Sequence, residues 1–523
     1  MLLSRTKRRL LQLAAIIALA GCMSPCNGMQ KPASTSQTRT PLATAKAQLD
    51  HDDLESAEKT LWSALSAEPT NQEALTMLGV VRGRQQRYAE AEALFRRVLQ
   101  LNPKSTTATR NLADALLAQD NPDEALKQYK QAIDLNPQDI ALKIAAVQLE
   151  LVRGEYASAL SMMNAIKPDR FPPPAVPFKA ASLLGLGRKS DAEALIPLVR
   201  SSPAAALDLA QVFIEANDAD AALKCLNQVP AAGKALLART HDLRGRALLQ
   251  KGDKAAAMVS FRQALADDPK STPTHLAMAE LLASENRHAE SLRVLEQARA
   301  ANPESAEILR HLVVEAMLAH QNERALQAAM DLQRVSPNLD DRYLVSTVMV
   351  QQKQYVPATH ILEDYVAQRP QDAKAYLGLG MAYLSLLRYA DAQRALNRSR
   401  QLNPNLAETE YQLGLLASQQ GNREDAIQHW QKAVELQPHH AQALFSLGTM
   451  FLETGELPKA ESAFEQSLAA DPTNMKTEYD LSLVQSKLGK SEEAKQHLER
   501  YRKMQEQEHA TSGNSPMQPN SNH

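Results

Sequence analysis

The side chains that could carry out chemistry are scattered along this chain. Among its 13 histidines and 60 acidic residues, adjacent pairs such as His439-His440 and Asp340-Asp341 follow shortly after a proline. The two adjacent histidines on a turn are expected to be solvated, and the aspartate pair lies at a unit boundary like other polar starts. The sequence has no glycine-rich phosphate loop, no GxSxG or HExxH motif and no CxxC pair. We therefore predict no catalytic residue, no metal site and no cofactor, and a chain that is not an enzyme.

The composition favours an all-α fold. Of 523 residues, 44% are hydrophobic, 23% are charged and only 4% are aromatic. Good helix formers dominate, whereas a β-sheet fold would need more aromatic and β-branched residues. The 58 basic and 60 acidic residues leave a formal net charge of −2. A nearly neutral chain lacks the broad positive field that attracts nucleic acid, so we expect no nucleic-acid partner.

Residues 1–21 have the pattern of a secretion signal. Basic residues precede the apolar stretch Leu10–Ala20, which is too short to span a bilayer. It ends in Leu19-Ala20-Gly21-Cys22, which resembles the lipobox of bacterial lipoproteins. The resemblance implies cleavage before Cys22, acylation of Cys22 and a membrane anchor. Because Met23 follows, the pattern resembles lipoproteins sorted to the inner leaflet of the outer membrane, facing the periplasm. An ordinary cleaved signal with a chance cysteine is the alternative.

Two further segments and two further cysteines lie outside this predicted signal. Residues 22–40 and 508–523 are rich in small and polar residues, so we predict a flexible tether and a disordered tail. Cys26 lies in the tether and Cys225 in a helical pattern. Whether they pair stays open, and we expect Cys225 to be a small packed hydrophobic residue.

Between residues 41 and 507 the sequence repeats with a period of about 34. Each unit ends at a proline, and a small residue lies 12 positions before that proline. The prolines are Pro69, Pro103, Pro137, Pro269, Pro303, Pro337, Pro370, Pro404, Pro438 and Pro472. Within a unit, apolar residues recur at helical spacing on both sides of a turn, as around Gly455. This pattern predicts about 14 helical hairpins that bury their apolar faces by stacking.

The hairpins resemble the tetratricopeptide repeat. Leucine-glycine pairs occur at residues 379–380, 413–414 and 447–448, with Ala392, Ala426 and Ala460 at the small position and Leu396, Trp430 and Phe464 at the large one. The resemblance implies a right-handed α-solenoid whose first helices line a concave face. The spacing is irregular near Phe171-Pro172-Pro173-Pro174, so we predict an N-terminal array at 41–167, an irregular unit or hinge at 168–204 and a C-terminal array at 205–507.

An apolar strip is predicted along the concave face of the last four units. Its members lie five and nine positions into each first helix, at intervals of 34: Leu377, Met381, Tyr411, Leu415, Phe445, Thr449, Tyr479 and Leu483. Such a strip suits an extended or helical peptide. Some of the rings could instead support the neighbouring helix.

These features predict a lipid-anchored periplasmic scaffold that binds proteins or peptides. Acylated arrays of this kind resemble assembly factors for exopolysaccharide, surface-protein or pilus export. The alternative is a glycan- or peptidoglycan-binding envelope protein that uses the aromatic residues of the strip. An enzyme would need a site in residues 168–205, where Lys167, Asp169, Arg170 and Arg188 form no recognisable acid–base set.

Overall fold

The fold is a succession of short helices. A computed structural model describes residues 39–230 and 233–511, with side chains from 41 to 507 apart from the same gap. The described residues form 28 α-helices and contain no β-strand. The predicted signal, Cys22, Cys26 and most of the predicted tether and tail lie outside the described residues. The helices follow one another as 14 hairpins, which confirms the predicted all-α solenoid.

The first compact unit ends at Leu281 and contains the first seven hairpins. Its helices are α1 Arg39–Asp50, α2 Leu54–Ala67, α3 Gln72–Arg84, α4 Tyr88–Leu101, α5 Thr106–Ala118, α6 Pro122–Leu135, α7 Ile140–Arg153, α8 Tyr156–Asn164, α9 Val176–Gly185, α10 Lys189–Glu193, α11 Pro203–Glu215, α12 Ala219–Leu226, α13 Lys234–Gln250 and α14 Lys254–Asp267.

The second compact unit begins at Leu282, inside helix α15. Its helices are α15 Thr272–Ser284 (in part), α16 His288–Ala301, α17 Ala306–Leu318, α18 Asn322–Val335, α19 Leu339–Gln351, α20 Tyr355–Gln368, α21 Ala373–Ser385, α22 Tyr389–Leu402, α23 Ala407–Gln419, α24 Arg423–Leu436, α25 Ala441–Glu453, α26 Leu457–Ala470, α27 Met475–Lys487 and α28 Ser491–Thr511.

Many of the helices start and stop at a local signal. Short polar side chains cap many of the N-termini, as when Asn71 accepts a hydrogen bond from the backbone N–H of Ala74 at 2.9 Å. The turn inside a hairpin contains one residue in the left-handed conformation. Gly455 takes it with φ of 79°, where glycine has no steric cost, whereas Leu387 takes the same conformation with φ of 59°. The turn predicted at Gly455 is confirmed.

In several hairpins the two helices meet where a glycine of the first helix faces a large side chain of the second. A methyl group on Gly448 would lie 2.6 Å from the Phe464 ring, and one on Gly414 would lie 2.4 Å from Trp430. The small residues Ala426 and Ala460 are fully buried. These contacts confirm the predicted repeat register, because glycine lets the helices approach until the ring fills the space between them.

First helices form the inner layer of each unit. In the second unit, α21 contacts α19 and α23, and α25 contacts α27. In the first unit, α9 contacts α7 and α11 in the same way. Within a unit, most second helices pack between their own first helix and the first helix of the next hairpin, as α24 does between α23 and α25. Apolar faces that one hairpin cannot cover are thus covered by its neighbours.

Three successive hairpins of the first unit depart from this pattern. Their second helices, α8, α10 and α12, have nine, five and eight residues, whereas α24 and α26 have 14. Two 3₁₀ turns, Pro168–Arg170 and Pro173–Ala175, precede α9, and a third follows α10. Prolines cause these interruptions, since each removes a backbone N–H from the helical ladder. The hinge expected here stays a prediction.

Candidate functional site: the strip on the inner helices

The eight residues of the predicted strip lie in pairs on four first helices. Leu377 and Met381 are on α21, and the other pairs are on α23, α25 and α27. The two members of a pair are separated by one helical turn, so they share a face. The first six side chains are half-buried, whereas Tyr479 and Leu483 on α27 are 46% and 38% exposed. The apolar side chains are therefore accessible but held in place by packing.

Packing within and between hairpins supports the aromatic members of the strip. The Tyr411 ring lies 5.1 Å from the His440 ring, between centroids, and burial raises the pKa of the tyrosine hydroxyl. The centroids of the Phe445 and Phe464 rings lie 5.7 Å apart. The Lys476 ammonium lies 5.1 Å from the centroid of the Phe445 ring. One side of each ring therefore packs within the solenoid, and only the remaining surface could contact a ligand.

The same surface continues one hairpin further than the eight predicted residues. Tyr343 and Thr347 on α19 are half-buried and stand one repeat period before Leu377 and Met381. The Tyr343 ring lies 4.9 Å from Tyr365, and burial raises the pKa of Tyr343 to about 12. Extending the repeat interval back by one unit would have found both residues.

Comparisons with protein families identify the repeat. Family models described as tetratricopeptide repeat match residues 72–138, 116–177, 248–312 and 411–474. A model described as a tetratricopeptide repeat-like domain matches residues 200–279. The chain is a tetratricopeptide repeat protein. Matches fall in both compact units, as the hairpin pattern does.

Two curated relatives of this tetratricopeptide repeat protein have the same description. "Cellulose synthase operon protein C" of Pseudomonas fluorescens (strain SBW25) is 27% identical over 266 residues, which are 48% of this chain and 19% of the relative. The protein of that name from Xanthomonas axonopodis pv. citri (strain 306) is 25% identical over 308 residues, 56% of this chain and 18% of the relative. Each match thus spans less than a fifth of the relative.

Solved structures similar to the repeat protein include the APC/C hetero-tetramer Cut9-Hcn1. That match has 16% identity, covers 97% of both chains and has a TM-score of 0.42. YrrB, described as a TPR protein with an unusual peptide-binding site, is 22% identical. The YrrB match covers 36% of this chain and 96% of that chain, with a TM-score of 0.31.

The two adjacent polar pairs His439-His440 and Asp340-Asp341 are partly buried in the repeat protein. His440 is 4% exposed, accepts a hydrogen bond from the N–H of Ala443 at 3.3 Å and lies 3.2 Å from Glu408. It is the N-cap of α25, and the preceding hairpin covers it. Asp341 is 3% exposed; burial acts to raise its pKa, but hydrogen bonds from Arg310 and Ser336, together with the positive charge of Arg310, outweigh burial and lower it. These residues tie neighbouring elements together, so the expectation that the histidine pair is solvated was wrong for His440.

The described residues present little other chemistry. They contain no group of three or more side chains that could hold a metal ion, and none of their helices is long and apolar enough to cross a membrane. Cys225 is fully buried, and burial raises the pKa of its thiol to about 12. It packs as the sequence predicts, and its thiol is protonated at neutral pH.

Proposed function

We propose that this chain is a lipid-anchored periplasmic scaffold whose inner strip binds partner proteins during assembly or export in the bacterial envelope. Among exopolysaccharide, surface-protein and pilus systems, we favour exopolysaccharide export. The names of the two curated relatives support that choice, although the matches cover a minor part of each. The chain binds its partners through the strip, and it contributes no catalytic step.

The strip is the observation that carries the proposal. Its half-buried apolar side chains recur on successive first helices, and packing already restricts their rotamers. Binding a peptide there therefore costs little additional side-chain entropy. Adjacent helices lie about 10 Å apart, and an extended chain advances about 3.3 Å per residue. The strip thus suits an extended segment with an apolar side chain at about every third position.

The anchor belongs to the same proposal. Acylated Cys22 would hold the solenoid at the outer membrane, since two or more acyl chains anchor stably where one does not. The residues between Cys22 and α1 would span at most about 60 Å when extended. A Cys22→Ser variant should leave the membrane fraction. Unchanged fractionation with the membrane would contradict the proposed anchor. It would not bear on the proposal that the strip binds a partner.

A glycan-binding role is the second candidate. The exposed Tyr479 ring favours it, because sugars stack on accessible aromatic faces. The other members of the strip are mainly leucine, methionine and threonine, which offer few hydrogen bonds to hydroxyl groups. Tyr479→Ala separates the candidates, since it should abolish glycan binding but only weaken a peptide contact that is shared with α21 to α25.

Quantitative co-purification from cells tests the scaffold proposal. The full chain is compared with Leu415→Glu, which places a charge on the strip, and with Gln428→Glu on the exposed side of α24 as the matched control. We expect at least one protein partner to be lost about tenfold with Leu415→Glu and retained with the control, because burying the unpaired carboxylate is unfavourable. Identical partner sets for folded wild-type and Leu415→Glu chains would contradict the proposal.

A further inference from the structure

The strip has a polar margin on one side, at the N-terminal ends of the helices that carry it. From α21 to α27, the second residue of each first helix lies 31 positions after the first strip residue of the preceding hairpin. For Phe445 that residue is Lys476, whose ammonium lies 5.1 Å from the centroid of the Phe445 ring. The repeat places the equivalent residues beside the strip in the same way. The margin consists of Lys374, Glu408, Gln442 and Lys476.

The acidic residue of the margin is already held by its own chain. Glu408 lies 3.2 Å from Nε2 of His440 and accepts a hydrogen bond from the Gln412 amide at 2.7 Å. One hairpin before the margin, Asp340 at the equivalent position of α19 is paired with Arg369. A basic side chain of a partner would have to displace these contacts to reach either carboxylate, so this side of the strip is not built to bind a cation.

The two lysines of the margin are exposed and have no ion-pair partner. In the part of the chain that the structure describes, neither Lys374 nor Lys476 has a carboxylate oxygen within 4 Å. Asp480 lies one turn after Lys476 and attracts it without forming an ion pair. At the C-terminal ends of these helices, the exposed residues Glu453 and Lys487 have opposite charges. The margin is therefore the side of the strip that offers unpaired positive charge to a ligand.

The two lysines lie at the two ends of the margin. Three hairpins separate them, and adjacent first helices lie about 10 Å apart, so the distance along the strip is about 30 Å. An extended chain covers that distance in about nine residues. Between the lysines the margin has Glu408, which repels a carboxylate, and the neutral Gln442. Because both ends are positive, the pattern is matched by a bound segment running in either direction.

We propose that the segment bound by the strip is acidic at both ends, with one carboxylate at Lys374 and one at Lys476, about nine residues apart, and apolar side chains between them. This rests on the proposed function of the strip and specifies the chemistry of its partner. Each carboxylate gains a charge-assisted hydrogen bond from a lysine at the rim of an apolar surface. A segment with basic ends is repelled at both lysines, and one with acids near its middle is repelled by Glu408.

Fluorescence anisotropy with the purified full chain and three labelled synthetic peptides tests the proposal. All three have leucine at every third position and serine or threonine elsewhere. The first has two glutamates nine positions apart, the second has lysines at those positions, and the third has both glutamates near the middle. At low salt the first peptide should bind about tenfold more tightly than either of the others. Its advantage should shrink at about 0.5 M salt, which screens exposed charges.

Charge reversal on the protein completes the test. Lys374→Glu and Lys476→Glu should each weaken binding of the first peptide about threefold to fivefold, and the double variant should prefer the lysine peptide. A merely structural role of the lysines would not reverse the preference. The matched control is Lys432→Glu on α24, which changes the net charge equally on another exposed surface and should leave the preference unchanged.

Equal affinity for the three peptides, or an unchanged preference in the double variant, would overturn the proposed acidic ligand and leave the strip as a peptide site. Absence of binding by all three peptides would overturn it as well. Photo-crosslinking in cells from Leu415 on the strip uses no designed peptide, so it decides the proposed function separately.

Discussion

The hairpins of residues 373–487 and those of residues 156–226 use the same kind of contact in different ways. In the first group a glycine and its large partner lie within one hairpin, as do Gly448 and Phe464. In the second group Gly185 on α9 contacts Tyr156 on α8, the second helix of the preceding hairpin, and a methyl group there would lie 2.3 Å from that ring. The five-residue α10 ends too early to provide a partner.

This difference shows what a complete second helix contributes to a repeat. Where that helix has its full length, a hairpin forms its own central contact and then stacks. Where it is short, the contact comes from the neighbouring hairpin. Stability in a solenoid is a sum of terms within hairpins and between them. We therefore expect residues 156–226 to depend more on the terms between hairpins.

Removing the large side chain that faces the glycine should have the largest effect on stability. The size of the effect should distinguish the two groups of hairpins. Phe464 is fully buried, so Phe464→Ala should cost about 3–5 kcal/mol, including the cavity that it leaves. Tyr156 is only half-buried, and Tyr156→Ala should cost less than half as much. Hydrogen exchange should show the loss of protection confined to α25–α28 in the first variant. Equal losses for the two variants would remove the distinction between the groups.

The buried carboxylate of another regular hairpin should give a pH-dependent effect. In α5–α6 the large partner is Tyr129, whose hydroxyl donates to Asp114, and burial raises the pKa of Asp114 from 3.8 to about 6. Since the folded state binds the proton more tightly than the unfolded state, stability falls as pH rises from about 4 to about 6.

Asp114→Asn keeps an acceptor for Tyr129 and removes the charge. It should stabilise the chain by about 2–3 kcal/mol at pH 7 and abolish that slope. Urea unfolding at pH 4 and pH 7, followed by a spectroscopic signal from the first compact unit, measures both the stability difference at pH 7 and the change of stability with pH. If the Asp114→Asn variant were only as stable as wild type at pH 7, the account of Asp114 as a buried, charged carboxylate at that pH would be contradicted.

The glycine contact itself should give a smaller effect, with a sign that depends on the surroundings. Gly448→Ala forces the Phe464 ring to move and should destabilise by about 1–2 kcal/mol, even though alanine favours the helix. Gly83 lies in α3, where a methyl group would have no described atom within 4 Å. Gly83→Ala should therefore stabilise by about 0.5–1 kcal/mol. Thermal unfolding of both variants checks this; a stabilising Gly448→Ala would contradict the packing described here.

Limited trypsin digestion of the wild-type chain should show a difference between the hairpins of residues 156–226 and those of residues 373–487. Arg170 is exposed at the end of a 3₁₀ turn, so the Arg170–Phe171 bond should be cleaved before any bond within 373–487. Arg170→Gln should remove that early fragment. Early cleavage within 373–487 would argue against the predicted hinge near residues 168–178.

The sequence predicted the regular hairpins well because their contacts lie within one period. Gly448 and Phe464 are identifiable from spacing alone. The contact of Gly185 with Tyr156 was not predictable, because it depends on where α10 ends. Burial of His440 and Asp341 was also missed, since their partners Glu408 and Arg310 lie on the preceding hairpin. Periodicity gives the position of a residue on its helix, but exposure depends on the neighbouring hairpins.

The central claim is that the strip binds a protein partner, and photo-crosslinking in living cells tests it most directly. A photoreactive amino acid replaces Leu415 or Phe445 on the strip, or Gln428 on the exposed side of α24 as the control. The account predicts a discrete protein adduct from both strip positions and none from the control. Folded chains that give no protein adduct at either strip position, or the same adduct from all three, would contradict it.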